Sequence, residues 1–301
     1  MGPERLVIEE GGQTLVLPAG LKALLPWPET LANKYSRGHC VLFAGMERFG
    51  GAAVLATRAA LRSGAGYVQV YTAGANVPLV RAAAPSAVTA TWNAGVLGHL
   101  ADAGPDRPLA YVVGPGFDPD DVDCRQVTLA ALRAAAAAVV DGGALGVLAV
   151  RQARAVLESR AAAGHATVLT PHAGEAARLA HALGLSPEPE GAALAAALAE
   201  ALQVSVLLKG PITYLAHEGR VITLSGASAG LARAGSGDVL AGILGGLLCQ
   251  GMNPVDACVL AYGLHAFAGL IAEERFTTIC MTPEDVTEAI PDAVKLIASL
   301  E

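Results

Sequence analysis

The sequence predicts an α/β fold in which a mostly parallel central sheet carries helices on both faces. Three observations carry this. Short apolar runs alternate with longer helix-like stretches along most of the chain. The short runs are apolar throughout instead of alternating, as expected of strands covered on both sides. The composition, 53% hydrophobic, 16% charged and only 4% aromatic, supplies a large core of small aliphatic side chains and argues against disorder.

The elements follow in order. The segment 1–34 holds four prolines and reads as an irregular N-terminal arm. "CVLFAG" at 40–45 is a short buried strand, and the Ala-rich stretch 51–66 is a helix with a Gly stop. "YVQVYT" at 67–72 is the next strand. "AYVVGPG" at 110–116 is a strand that breaks at Gly-Pro-Gly. "AAVVDGGAL" at 137–145 is a strand ending at an Asp. Residues 166–183 read as strand, Pro break and helix, and 204–210 as a further strand. Residues 213–225 read as a hairpin turning at Glu218-Gly219. Helices are expected over 238–250, 254–274 and 283–300. No Pro/Ser-rich linker divides the chain, so residues 1–301 are expected to form a single domain.

Composition also excludes functions. The net charge is −7, with four lysines and no basic run, which speaks against a nucleic-acid partner. A phosphate ligand would then rest mainly on backbone N–H groups. The five cysteines (Cys40, Cys124, Cys249, Cys258, Cys280) are scattered, with no C-x-x-C pair. They read as reduced thiols in a cytoplasmic protein. The N-terminus is no signal peptide, and the apolar runs, such as 239–249, look too short to span a membrane.

In open α/β sheets, ligands sit beyond the carboxyl ends of the strands. The turns expected there are 45–51, Gly114-Pro115-Gly116, Asp141-Gly142-Gly143, the segment 171–175 and Lys209-Gly210. Walker A, Rossmann and H-E-x-x-H patterns are absent. "GASAG" at 226–230 fits a nucleophile elbow, with Ser228 as nucleophile and Asp256 and His265 following in the order of a hydrolase triad. The motif is short, and its second glycine leads into more loop.

"AGSGDVLAGILGGLL" at 234–248 is more informative. Gly235-Ser236-Gly237 exposes successive N–H groups at the start of a helix, an arrangement that binds anions. Asp238 reads either as the helix N-cap or as a catalytic carboxylate. The helix dipole favours its ionised form by about 0.3–1 kcal/mol. Such a weak base suits phosphoryl transfer, where positioning outweighs basicity.

That stretch resembles the signature of the ADP/ATP-dependent NAD(P)H-hydrate dehydratase family, within the ribokinase-like superfamily. Further blocks match in order: "KYSRGHCVLFAG" (34–45), "GGAAVLATRAALRSGAGYVQV" (50–70), "VVGPG" (112–116), "TPHAGEAARL" (170–179) and "LLKGPIT" (207–213). The resemblance implies a ribokinase-like three-layer α/β/α sandwich. It implies a metabolite-repair lyase that phosphorylates the C6 hydroxyl of hydrated NADH or NADPH, using ADP or ATP with Mg²⁺, and eliminates phosphate. Asp238 would be the catalytic base, and Gly235, Ser236 and Gly237 the anion hole. Lys209, Gly210, Pro211, Ile212 and Thr213, with Gly237, would bind the nucleotide. Ala52, Gly116, His172 and Asp238 would contact the hydrated cofactor. A separate epimerase chain is implied as pathway partner, because no fused epimerase domain is recognised, and the family tends to form homo-oligomers.

Three departures stand out. Asp141-Gly142-Gly143 replaces the family's Asp-Ala-Asp. Gly116-Phe117-Asp118 replaces Gly-Leu-Gly, so Asp118 is expected to add bulk and negative charge to the cleft. Ser228-Ala229-Gly230 replaces Asn-Pro-Gly. Altered specificity or weakened activity would follow from such changes. The alternatives are therefore a ribokinase-like kinase of a small alcohol or vitamin precursor, and a nucleotide-binding homologue of reduced activity.

Overall fold

The computed structural model describes residues 6–11, 13–16, 18–98, 100, 108–185 and 190–300. Its strands are β1 (Val7–Glu10), β2 (Gln13–Val16), β3 (His39–Phe43), β4 (Tyr67–Thr72), β5 (Val88–Thr91), β6 (Leu109–Val113), β7 (Ala137–Val140), β8 (Ala166–Leu169), β9 (Ser205–Leu208), β10 (Thr213–His217) and β11 (Arg220–Ser225). All lie in one sheet, ordered β2-β1-β11-β10-β9-β8-β7-β6-β3-β4-β5. Pairing is parallel from β5 across to β9 and antiparallel from β9 to β2.

The two faces follow from the two-residue period of a strand. Cys40 and Leu42 of β3 point into one core, and Val41 and Phe43 into the other. The first core is closed by helices Gly50–Arg62, Ser236–Leu248, Pro254–Cys280 and Pro283–Ser299. Helices Val122–Ala134, Arg151–Ala162, Ala173–Ala182 and Gly191–Leu202 close the second. This is the three-layer α/β/α arrangement expected. Every residue of β6 and β9 is buried, which explains their unbroken apolar character.

The Ser236–Leu248 helix is buried from Val239 to Leu248. Its glycines let it enter that tightly. A Cβ on Gly242 would lie 2.3 Å from the Ala56 carbonyl oxygen, and one on Gly245 would lie 2.1 Å from a Val112 methyl. The helix is thus wedged between the sheet and the Ala-rich Gly50–Arg62 helix, and its N-terminus cannot drift.

Two expectations need correction. The segment 1–34 is not simply an irregular arm. β1 pairs with β11, β2 pairs with β1, and Pro18–Leu24 is a 3-10 helix. The β1 run "VIEE" is too short and acidic to stand out, but β11 offers it an open edge. The longest apolar helix, Pro254–Cys280, has 27 residues and is long and apolar enough to cross a membrane, beyond the short runs read from sequence. Its apolar window is 83% buried inside the fold, where it serves as a core helix. Thr277, at φ +67°, interrupts it near the expected end at Glu274. The hairpin turn at Glu218-Gly219 is as expected, both residues adopting positive φ.

Candidate active site

The parallel strands end together, and backbone bonds knit their loops side by side. Gly45 N–H donates to the Pro115 carbonyl, Met46 N–H to Gly116, Asp141 N–H to Val113, Thr170 N–H to Val140 and Lys209 N–H to Pro171. His172 and Lys209 pair as a further parallel bridge beyond β8 and β9. The sequence-derived site residues Gly116, His172 and Lys209 are therefore brought to one rim.

At its centre is a buried ion pair. Lys209 Nζ donates to Asp141 Oδ1 at 2.7 Å, and Thr170 Oγ1 donates to the same oxygen at 2.7 Å. Asp141 is 3% exposed. Burial works against the Lys209 ammonium, but the charge and hydrogen bond of Asp141 outweigh it, with Glu175 and Asp238 adding, so its pKa is raised. The ammonium reaches the start of the Ser236–Leu248 helix: a Cβ on Gly237 would sit 3.0 Å from Nζ.

The helix start differs from the sequence reading in three ways. The N-cap is Gly235, at φ +97°, not Asp238, which lies in the first turn. The Ser236 N–H is not available to an anion, because it donates to the Arg233 carbonyl at 3.2 Å. The Ser236 hydroxyl is bonded to His265 Nε2 at 3.1 Å. Among the described residues, the N–H groups of Gly235, Gly237 and Asp238 have no acceptor. The N–H groups left open to an anion are thus those of Gly235, Gly237 and Asp238, while Ser236 fastens the loop from beneath. His265 is buried on the Pro254–Cys280 helix, and burial, with Lys209 adding, lowers its pKa to about 4, so it is a neutral ring.

Third, Asp238 is not held in its ionised form. Its carboxylate is half-buried and makes no hydrogen bond among the described residues. Burial raises its pKa to about 7, Asp141 and Glu175 reinforcing and Lys209 opposing. Desolvation and two neighbouring carboxylates outweigh a dipole contribution of about 0.3–1 kcal/mol. Asp238 is poised near neutrality, as a general base at physiological pH should be.

His172 is the N-cap of the Ala173–Ala182 helix. Its Nδ1 accepts from Gly174 N–H at 3.0 Å, and Glu175 returns the contact by accepting from His172 N–H at 2.9 Å. Nδ1 is therefore the unprotonated nitrogen and Nε2 carries the proton. The ring is 57% exposed. Ala52 is buried in the first turn of Gly50–Arg62 and packs on Gly116, where a Cβ would lie 2.7 Å from Ala52 Cβ.

Lys209, Gly210, Pro211 and Ile212 line a 360 Å³ cavity with Tyr214 and the helix start at Gly191. Thr213 is buried instead, its hydroxyl donating to the Gly210 carbonyl at 3.3 Å. A larger cavity of 880 Å³, lined by His165, Ser205 and His217, opens at the opposite ends of the strands, away from this chemistry.

The hydrolase constellation is not assembled. Ser228 is buried and accepts from Gly230 N–H at 3.0 Å, while His265 is committed to Ser236 and Asp256 to the Asn253 cap. Asp118 does not load the cleft as expected. It is exposed and folds onto Asp120 N–H at 3.1 Å. Gly143 is explained by its neighbour: a Cβ there would lie 2.2 Å from the Phe117 carbonyl oxygen. Phe117 is buried edge-on against Trp92 at 5.6 Å. Sequence reasoning assigned no role to Thr170 or Glu175 and gave His265 the wrong partner. The available signals were Thr170 directly after a strand and a lone His inside an otherwise apolar helix.

Among the described residues, no group of three or more His, Cys, Asp or Glu side chains could hold a metal ion. Mg²⁺ commonly rides on nucleotide phosphates and water, and that carriage suits these residues better than a protein cage.

Residues 40–292 match the family model described as NAD(P)H-hydrate dehydratase. The ADP-dependent (S)-NAD(P)H-hydrate dehydratase of Xanthomonas campestris is 32% identical over 283 residues, which are 92% of this chain and 94% of that protein. A bifunctional NAD(P)H-hydrate repair enzyme of Gloeobacter violaceus is 38% identical over 276 residues, 90% of this chain; the match spans 52% of that longer protein. The crystal structure of the ADP/ATP-dependent NAD(P)H-hydrate dehydratase of Bacillus subtilis, co-crystallised with ATP and Mg²⁺, superposes with a TM-score of 0.75. It is 25% identical and covers 93% of this chain and 97% of its own.

Proposed function

The chain belongs to the NAD(P)H-hydrate dehydratase family, and we propose that it returns hydrated NADH and NADPH to their reduced forms using ADP or ATP. The observation that carries this is the Asp238 carboxylate, without a hydrogen bond among the described residues, poised near pH 7, and set beside the open N–H groups of Gly235 and Gly237.

Asp238 accepts the proton of the C6 hydroxyl as its oxygen bonds to the terminal phosphorus of the nucleotide. The bond from that phosphorus to the bridging oxygen breaks, leaving the shortened nucleotide. The Gly235 and Gly237 N–H groups and the Lys209 ammonium stabilise the charge on the moving phosphoryl group. In the second step the C6–O bond breaks, and its electron pair leaves with phosphate. The lone pair of the ring nitrogen forms N1=C6; transfer of a C5 proton to the departing phosphate then forms C5=C6 and returns the N1=C6 pair to nitrogen. Hydroxide is a poor leaving group and phosphate a good one, which is why phosphorylation must come first.

The 360 Å³ cavity beside Lys209–Ile212 suits the nucleotide. Mg²⁺ would arrive on its phosphates and neutralise their charge. The Nε2–H of His172, the first turn at Ala52 and the Gly116 loop face the rim where the hydrated ring would lie.

The test is recovery of NADH absorbance from hydrated NADH with Mg²⁺ and ADP or ATP. Recovery is expected, and no recovery with either nucleotide overturns the proposal. Consumption of nucleotide with a stable phosphorylated product would favour a kinase. Binding without turnover would favour a weakened homologue.

An epimerase activity acting beside it is suggested by the double-length bifunctional relatives, a cytoplasmic location by five free thiols, and a homo-oligomer by exposed apolar side chains such as Phe276 and Ile279.

A further inference from the structure

Asp141 is remote from the signature stretch and, in sequence, was notable only for the altered residues that follow it. In the structure it is the buried end of a chain of contacts leading to the phosphoryl site. Its Oδ1 takes two donors, Lys209 Nζ and Thr170 Oγ1, each at 2.7 Å. Thr170 is fully buried, and its N–H is tied to the Val140 carbonyl. The carboxylate therefore has a fixed place, set by consecutive strands β7 and β8. Lys209 follows β9, and its long flexible side chain would otherwise swing freely, losing rotamer entropy on each productive approach. The ion pair aims it so that Nζ lies 3.0 Å from where a Cβ on Gly237 would be. A side chain at 237 would push the ammonium back from the cradle by a few tenths of an ångström.

We propose that Asp141, braced by Thr170, is a positioning residue that holds the Lys209 ammonium against the Gly237 end of the anion cradle, where it meets the transferred phosphoryl group. This rests on the dehydratase reading. Asp141 does not touch substrate; it acts through Lys209. A second consequence follows from its charge. Asp238 is faced by Asp141 from the end of β7, by Lys209 from β9 and by Glu175 from the Ala173–Ala182 helix. Below the loop lies the neutral His265 ring of the Pro254–Cys280 helix. Of these, Asp141 is the largest charge acting to keep Asp238 protonated. Removing that charge lowers the Asp238 pKa, and so does a freed Lys209 that approaches it. Both move the acid limb in the same direction.

The experiment compares wild type, Asp141→Asn and Thr170→Val in steady-state repair of hydrated NADH from pH 5 to 9. Lys209 is followed alongside by ¹⁵N-lysine NMR, feasible with four lysines in the chain. For Asp141→Asn, kcat is expected to fall on the order of a hundredfold with nucleotide KM changed less than about threefold, as for an interaction made mainly in the transition state. Its acid limb should move to lower pH. Thr170→Val should lower kcat on the order of tenfold and leave the acid limb nearly in place, because no charge is removed. The Lys209 ammonium signal, protected by its hydrogen bond in wild type, should weaken in both. A merely structural role would lower activity in proportion to folded protein, measured by circular dichroism, without moving the limb. An Asp141→Asn enzyme with kcat within twofold of wild type, or with an unmoved acid limb, overturns the proposal. If wild type itself shows no repair, the dehydratase reading fails, and an unchanged Lys209 signal in both variants overturns the positioning role independently.

Discussion

Asp238→Asn separates two effects that one residue carries. The side chain's pKa rises from an ordinary 3.8 to about 7. Taken whole, that rise corresponds to about 4 kcal/mol. Asp238 is half-buried, so solvent screening reduces the share felt by the fold to ~1–2 kcal/mol. Its sign is opposite to that of a salt-bridged carboxylate. Between about pH 4 and about pH 7 the native state holds a proton that the unfolded chain has released, so stability falls as pH rises through this window. Above it the ionised carboxylate is a standing penalty. Asparagine keeps the shape and cannot ionise. The variant is therefore expected to be more stable than wild type by ~1–2 kcal/mol at pH 8, a few degrees in Tm for a chain of this size, and to converge with wild type near pH 4. Repair should fall by roughly 10²–10⁴ with the loss of the base. In wild type, kcat/KM should fall about tenfold per pH unit below about 7. Thermal melts of both proteins from pH 4 to 8, with the repair assay, check all of this. A stability difference that is independent of pH, or a variant that repairs at the wild-type rate, would refute the account of Asp238 as a strained base.

Gly235→Ala places a Cβ 2.8 Å from Leu55 Cδ1 in a residue at φ +97°. It should cost ~1–3 kcal/mol in a denaturant titration and lower kcat at least tenfold by turning the cradle N–H groups. Arg160→Ala removes the donors to the Leu132 and Ala166 carbonyls and to Thr167 Oγ1. About 3 kcal/mol of stability should be lost as buried acceptors go unpaired, with kcat unchanged at 25 °C for the folded enzyme. Ser228→Ala loses the bond from Gly230 N–H and the weak one it donates to Met281 Sδ, so melts should show ~1 kcal/mol and the repair rate should stay within twofold, whereas a hydrolase would lose all activity. Gly143→Asp drives a Cβ to 2.2 Å from the Phe117 carbonyl and should cost ~1–3 kcal/mol of strain, read by the shift in urea midpoint.

Much of the fold was legible because the residues are locally consistent. The apolar runs of β3, β6 and β7 and the break after β8 declare themselves, and strand-end turns mark the ligand side before any coordinate is known. What failed was decided by distant contacts. β1 is a strand because β11 presents it with unpaired backbone, not because "VIEE" favours extension. Asp238 reads locally as a helix-start carboxylate kept ionised by the dipole. Its actual state depends on Asp141, which is 97 residues earlier in the chain, and on Glu175. Ser236 looks like a phosphoryl ligand in the string Gly-Ser-Gly, yet its N–H and hydroxyl are taken by Arg233 and His265. No local pattern reports which polar groups are already occupied.

The two departures nearest the cleft illustrate the same limit from the other side. Read in sequence, Gly143 is a missing carboxylate and Phe117-Asp118 an intrusion, two separate reasons for weakened activity. In space they form one adjustment. The Phe117 carbonyl occupies the space a side chain at 143 would need, the Phe117 ring is packed against Trp92, and Asp118 is turned out to solvent. The carboxylate that matters for Lys209, Asp141, keeps its buried place and both of its donors. Breaking that pair would leave an unpartnered buried charge at a cost of several kcal/mol. The Asp141–Lys209–Thr170 cluster stands intact beside the Phe117 loop, so the effect of these departures on specificity is expected at Phe117 and Trp92 and not at the Lys209 ammonium.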